Sequence, residues 1–337
     1  MFKLFQTIFQ KGQDKAAAYP EDLIERATER AVDGTDRRLR AVSGYRKSLR
    51  PAILHAIDHV IALVDAFPAP LALNRPSYGA SPELKAYFAS VEHMHEVLTR
   101  DAELLRWRRT PEGGEAERVV PLLIMDMSER NVLGMALDGD SVRREVAQVQ
   151  VSFANHRLRD PSPIEDDTRR FLKRRAFDHL LTLALGNIAA SRGEQGELKR
   201  ERDLLRAKLG ALKSGNWGFE EGAEAQPVMD HVALQERIEA IDAQLATLST
   251  SLLTTHLDIL IDVLGHAEEH LRGDSGTLCV DRMGIKQASP GPNAPEIPLF
   301  RLYNSVGNSV VVRLVAAERA DLPEMPNLLR EGLRYFG

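Results

Sequence analysis

The chain has 337 residues, of which 43% are hydrophobic and 28% charged, with a formal net charge of -5. That length suits one large domain or two ordinary ones, and the composition is that of a globular protein rather than a disordered or fibrous one. A mildly acidic chain has no general bias towards nucleic acid, and Cys279, the only cysteine, excludes an internal disulfide and a multi-cysteine metal site. A reducing compartment fits that cysteine usage. No apolar run reaches the roughly 20 residues needed to cross a bilayer. The longest candidate, 52–67, contains His55, Asp58, His59 and Asp65. The apolar N-terminal residues are interrupted by Lys3, Gln6, Thr7 and Gln10, so no signal-peptide pattern forms. The cytoplasm is the expected location.

The first segment, 1–18, is an amphipathic stretch and linker. Phe2, Phe5 and Phe9 share one side of a helical wheel with Leu4 and Ile8, and Lys11 and Lys15 follow. A short aromatic face with lysines suits either an anionic membrane surface, bound peripherally, or the protein's own core.

Residues 20–107 read as a helical N-terminal part. Pro20 opens a helix that ends near Asp33-Gly34, and a longer one is expected over 36–67, kinked or split at Pro51. Arg37, Arg38, Arg40, Arg46, Lys47 and Arg50 crowd its first half, where they oppose the helix dipole. Either an anionic partner or acids elsewhere in the fold would offset that cost. A loop over 69–82 and a helix over 83–107 follow, and the polar stretch 108–117 closes this part.

Over 118–192 the period changes. The runs 119–127, 132–137 and 146–153 are short and β-branched, with reversals expected at 128–131 and 138–140, giving an antiparallel meander. A helix then runs to about Ala190, with a second basic cluster, Arg169, Arg170, Lys173, Arg174 and Arg175, in its early turns.

Segment 193–250 reads as an antiparallel coiled-coil hairpin. Leu234, Ile238, Ile241, Leu245, Leu248 and Leu252 step by four and three, drawing one apolar seam. Leu198, Leu205, Leu209 and Leu212 draw a second seam, with Arg202 in its one gap. Pairing between two chains, a homodimer, satisfies the same pattern. Trp217 and Phe219 lie between the seams among small and acidic residues, either folded back onto the arms or serving as anchors for a protein partner. Segment 251–337 supplies a helix ending at Gly273, strands over 277–285 and 299–317 with a hairpin turn at 304–309, and a final helix over 324–335.

Two short motifs bear on catalysis. His266-x-x-Glu269-His270 matches the inverted zinc-protease signature, in which two histidines one turn apart hold the metal and the glutamate activates water. A third ligand is not identifiable, and a histidine near a helix end is commonplace. Gly273-Asp274-Ser275-Gly276 resembles the surroundings of a serine-protease nucleophile, but a mostly helical chain does not supply that fold, and a turn is expected there. No phosphate-cradling glycine motif occurs, and no cofactor is implied.

The expected fold is α+β and mostly helical: a small antiparallel sheet from 118–158 and 277–317, packed with helices, plus the coiled-coil hairpin. The expected function is that of a non-enzymatic interaction or scaffold protein. The alternatives are a metal-dependent hydrolase at His266 and His270, and an anion or nucleic-acid binder using the arginine clusters.

Overall fold

The computed structural model describes residues 19–138, 141–213 and 231–324. The amphipathic N-terminal stretch with Phe2, Phe5 and Phe9, the segment holding Trp217 and Phe219, and the expected C-terminal helix lie outside the described residues.

The fold is α+β, with helix predominating. In chain order the elements are α1 (Glu21–Gly34), a 3-10 turn (Arg37–Ala41), α2 (Tyr45–Asp65), β1 (Leu71–Ala72), α3 (Arg75–Ala80), α4 (Pro82–Tyr87), α5 (Val91–Arg100), α6 (Ala102–Arg108) and α7 (Pro111–Glu115). Then come β2 (Arg118–Val119), β3 (Leu122–Asp138), β4 (Ser141–Arg159), α8 (Glu165–Lys213), α9 (His231–Gly265), α10 (Ala267–His270), β5 (Leu271–Cys279), β6 (Glu296–Asn304) and β7 (Ser309–Glu318). The described residues form two compact units. One holds the residues up to Ile57 together with Phe177–Ala267, the other Asp58–Ala176 together with the residues from Glu268 onward.

The second of these units contains the sheet, in the order β4-β3-β7-β6-β5, with β1 and β2 also paired to β7. The two strand groups therefore do form one sheet. Strand β7 lies at its centre. Val311, Val315 and Ala317 face a core with Leu84, Tyr87, Phe88, Met94 and Leu104. Val312 and Leu314 face a second one with Leu63, Phe67, Leu172 and Phe300. A strand covered on both faces reads as a continuous apolar run rather than an alternation, which is why the sequence there is VVVRLVAA. The exception, Arg313, is buried, with its Nε 2.8 Å from Glu83 Oε2 and its Nη1 donating to Ala69 O at 2.7 Å.

Several boundaries differ from those the sequence suggests. The expected reversal at 128–131 is absent. β3 runs straight through it, with Ser128 opposite Ser152 and Asn131 opposite Val149. Ser128 and Asn131 are turn formers, but without Gly or Pro the polar run over 128–131 also suits a solvated ribbon. The reversal after Asp138 is where the sequence places it, since Asp138 pairs with Ser141. The expected helix over 36–67 breaks at Gly44, whose φ of 75° leaves the helical region, whereas Pro51 sits inside α2 without ending it. Helix 83–107 is three helices, each starting on a Ser or Asp side chain that caps a backbone N–H: Ser81, Ser90 and Asp101.

The helix expected to reach Gly273 ends at Gly265 and is followed by the separate short α10, and Gly273 to Gly276 is strand rather than turn, paired with Leu302 to Leu299 of β6. Gly273 is there because a Cβ would lie 2.5 Å from Leu63 Cδ1 and 2.8 Å from Phe300 Cζ. The hairpin turn between β6 and β7 falls as expected at 304–309, with Gly307 at φ 86°.

Candidate functional site

The other unit is built on α9, a helix of 35 residues, and on α8 from Phe177 onward. Arg192 of α8 and His256 of α9 both meet Asp36, and Arg206 of α8 meets Asp242 of α9 at 2.6 Å. Between those two points α8 advances by as many residues as α9 retreats, so the helices run antiparallel within one chain. Leu234, Ile238, Ile241 and Leu245 are buried, as the 4-3 spacing predicts. On α8 the facing residues Leu198, Leu205 and Leu209 are only half-buried. Arg202, in the gap of that seam, lies 3.6 Å from Asp242, and Arg237 reaches Glu201 at 2.9 Å. These partly exposed pairs contribute little energy but select the register. Leu204 remains 65% exposed on an arm whose other surface residues are mainly charged.

The base of the hairpin is fastened by an ion cluster in which Asp36 and His256 are buried and Arg38 and Arg192 reach in from the exposed side. Asp36 caps the 3-10 turn through Arg38 N–H and accepts from the Arg38 side chain at 3.0 Å, Arg192 at 2.5 Å and His256 Nδ1 at 2.8 Å. His256 is fully buried. Burial alone would raise the pKa of Asp36, but the hydrogen bonds from Arg38 and His256 and the charge of Arg192 outweigh it, holding the carboxyl far below its usual range.

The first arginine cluster is neutralised along α1. Arg50 pairs with Glu21, Arg46 with Glu25 and Glu29, Arg40 with Glu29 and Asp33, Arg37 with Asp33, and Arg38 with Asp36. Glu21, Glu25, Glu29 and Asp33 recur every four residues and form one acidic stripe. Of the two sources of counter-charge expected for these bases, an anionic partner or acids elsewhere in the fold, the fold supplies the second, while Lys47 is exposed. Four members of the second cluster are likewise engaged: Arg169 pairs with Glu165, Arg170 with Asp167, Lys173 with Asp65 and Arg175 with Asp160, while Arg174 is exposed.

His266 Nδ1 lies 3.0 Å from Asp262 O and 3.1 Å from its carboxylate, and His270 ends the short α10. Among the described residues no group of three or more His, Cys, Asp or Glu side chains is placed to hold a metal ion.

The sheet unit contains a cleft of about 500 Å³ that no local sequence pattern announces, lined by His93, Glu96 and Arg100 of α5, Asp101 at the start of α6, and Asn155, His156, Arg157 and Arg159 of β4. A β-bulge shapes its floor. Ile124 faces Arg157 and Asp126 faces Ala154, so Asn155 and His156 together oppose Met125. Asn155 takes the left-handed conformation at φ 53°, which asparagine tolerates better than most residues. Asp126 then ties the bulge, accepting from Asn155 Nδ2 at 2.8 Å and Arg157 Nη2 at 2.7 Å.

Two imidazoles meet in this cleft, with ring centres 5.0 Å apart and edge-on. His156 is stacked on Phe88 at 5.0 Å, and its Nε2 is 2.7 Å from Tyr87 O. A carbonyl only accepts, so Nε2 carries the proton and Nδ1 keeps a lone pair. Burial, with a smaller contribution from His93, lowers the pKa of His156 against the opposing hydrogen bond, which favours the neutral ring. His93 Nδ1 accepts from Ala89 N–H at 3.3 Å, which leaves Nε2–H as its donor. The only signal in the sequence was the presence of His93 and His156. Their convergence depends on a strand register and a bulge that no local pattern announces.

No helix among the described residues is long and apolar enough to cross a membrane. No protein-family model, curated protein or solved structure matches the chain.

Proposed function

We propose that the chain is a non-catalytic interaction protein whose α8–α9 hairpin is the presenting element. The observation that carries this reading is the exposed Leu204 on an arm that is otherwise held in register by Glu201–Arg237 and Arg206–Asp242. A rigid helical arm loses little conformational entropy on binding, and an apolar residue surrounded by charge suits the centre of a small contact. Trp217 and Phe219, which lie between the two arms in the sequence, are further candidate aromatic anchors for a protein partner. The single Cys279 fits a cytoplasmic setting. Phe2, Phe5 and Phe9, together with Lys11 and Lys15, would allow weak peripheral contact with an anionic membrane.

The test is a photo-reactive residue at position 204 of the intact chain, activated in cells. A discrete covalent adduct with one partner protein supports the reading, and an adduct with a second copy would make that partner the chain itself. The absence of any adduct contradicts it.

A further inference from the structure

The cleft between α5 and the β4 bulge carries an inference independent of the hairpin. Its charged groups are not equivalent. Asp101 lines the cleft, but its carboxylate is occupied by three backbone N–H groups, those of Glu103 at 3.0 Å, Leu104 at 2.8 Å and Leu158 at 2.9 Å. Glu96 pairs with Arg100 on the same helix. Asp126 and Glu103, which hold Arg157 at 2.7 Å and Arg159 at 3.4 Å, are not among the lining residues. They hold the two guanidiniums from outside the lining, and Arg159 Nη1 also donates to Leu158 O at 2.8 Å, so Arg159 keeps Nε and Nη2 as its donors for a ligand.

Arg157 Nε is buried with no acceptor among the described residues. Buried donors are almost always matched, whereas this one is an unsatisfied group within the wall, closed to solvent, and the donors open to the cleft are those at the guanidinium ends. The lining therefore has a surplus of donors: the guanidiniums of Arg100, Arg157 and Arg159, and His93 Nε2–H. The acceptors left over are Asn155 Oδ1, whose amide nitrogen is engaged by Asp126, and His156 Nδ1.

We propose that this cleft binds a small phosphate monoester that also carries a hydroxyl group. Several guanidinium N–H groups and an imidazole N–H exceed what one carboxylate accepts, but they match the three terminal oxygens of a phosphate monoester. Asn155 Oδ1 and His156 Nδ1 accept from a hydroxyl on the same molecule. A volume of about 500 Å³ is that of a small-molecule site. Nothing in the arrangement requires bond breaking, so the role is recognition.

The probe is glycerol phosphate, with glycerol as the neutral control, titrated calorimetrically into the full-length protein. Saturable binding of glycerol phosphate and none of glycerol is expected. R100Q and R159Q should each weaken binding by about tenfold, the scale of one lost charge-assisted contact. Arg100 is exposed and pairs with Glu96 on its own helix, so R100Q keeps the fold, and an unchanged melting temperature verifies this. No saturable binding, equal binding of glycerol, or full affinity in both variants would overturn the proposal.

Discussion

Asp36 and His256, 220 residues apart in the chain, meet through a 2.8 Å hydrogen bond at a site that is closed to solvent. Asp36 also receives Arg38 and Arg192, so a single carboxylate joins the 3-10 turn, α8 and α9. This junction, rather than the coiled-coil seam alone, fixes where the hairpin begins.

Asp36→Asn should therefore destabilise the protein by about 3 kcal/mol at pH 7, because it leaves two arginines and a buried histidine facing a neutral amide. The pKa of Asp36 is lowered by folding, so its carboxylate stabilises the fold above the unfolded pKa. That contribution fades as pH falls below about 4, where the unfolded group takes up its proton. Urea melts at pH 7 and at pH 3 should show the deficit of the variant shrinking with acid. A deficit that does not change with pH would remove the carboxylate from this role.

Ile241 is fully buried in the α9 seam. Ile241→Asp places a charge in an apolar stripe and should cost at least about 3 kcal/mol. Loss of far-UV helical signal and new protease cleavage sites within the arms should accompany it. Unchanged helicity and cleavage would show that the seam is not a packing surface.

In the sheet unit, Arg313 and Glu83 form a pair whose side chains are only 10% and 15% exposed. Arg313→Leu leaves Glu83 without its partner and should destabilise by about 3 kcal/mol. Adding Glu83→Leu should recover part of that loss, since a buried pair is more costly to halve than to replace. Chemical denaturation of the single and double variants would measure the coupling, and strict additivity would contradict it.

Gly273→Ala should cost about 1–3 kcal/mol by overpacking, since the new Cβ meets Leu63 and the Phe300 ring. Gly276→Ala, where a Cβ meets nothing within 4 Å, is the matched control and should be nearly neutral. Thermal melts of the pair decide whether close approach explains Gly273.

The parts of the fold visible in the sequence were those written in local periodicity. The 4-3 steps of Leu234 to Leu245 gave the seam of α9, and the β-branched runs around Val149 and Val311 gave strands. What was hidden depended on partners distant in sequence. Nothing local to Arg40 or Arg46 shows that Glu29 neutralises both. The same holds for the cleft. His93 looks like an ordinary helix residue until the bulge at Asn155 brings His156 against it. In the sequence Gly273 has the look of a helix end, because glycine serves both that role and close packing, and only Leu63 and Phe300 distinguish the two.

The central claim, that the hairpin presents the binding surface, is tested most directly by removing it. Replacing residues 198–245 with a short glycine-serine linker deletes the arms while retaining Asp36, Arg192 and His256 at their base. The affinity of this variant for the partner captured at position 204 is then measured by titration calorimetry. The expected result is binding at least about tenfold weaker, about 1.4 kcal/mol or more, with the sheet unit unfolding as before. Undiminished affinity in a folded variant lacking the arms would contradict the claim.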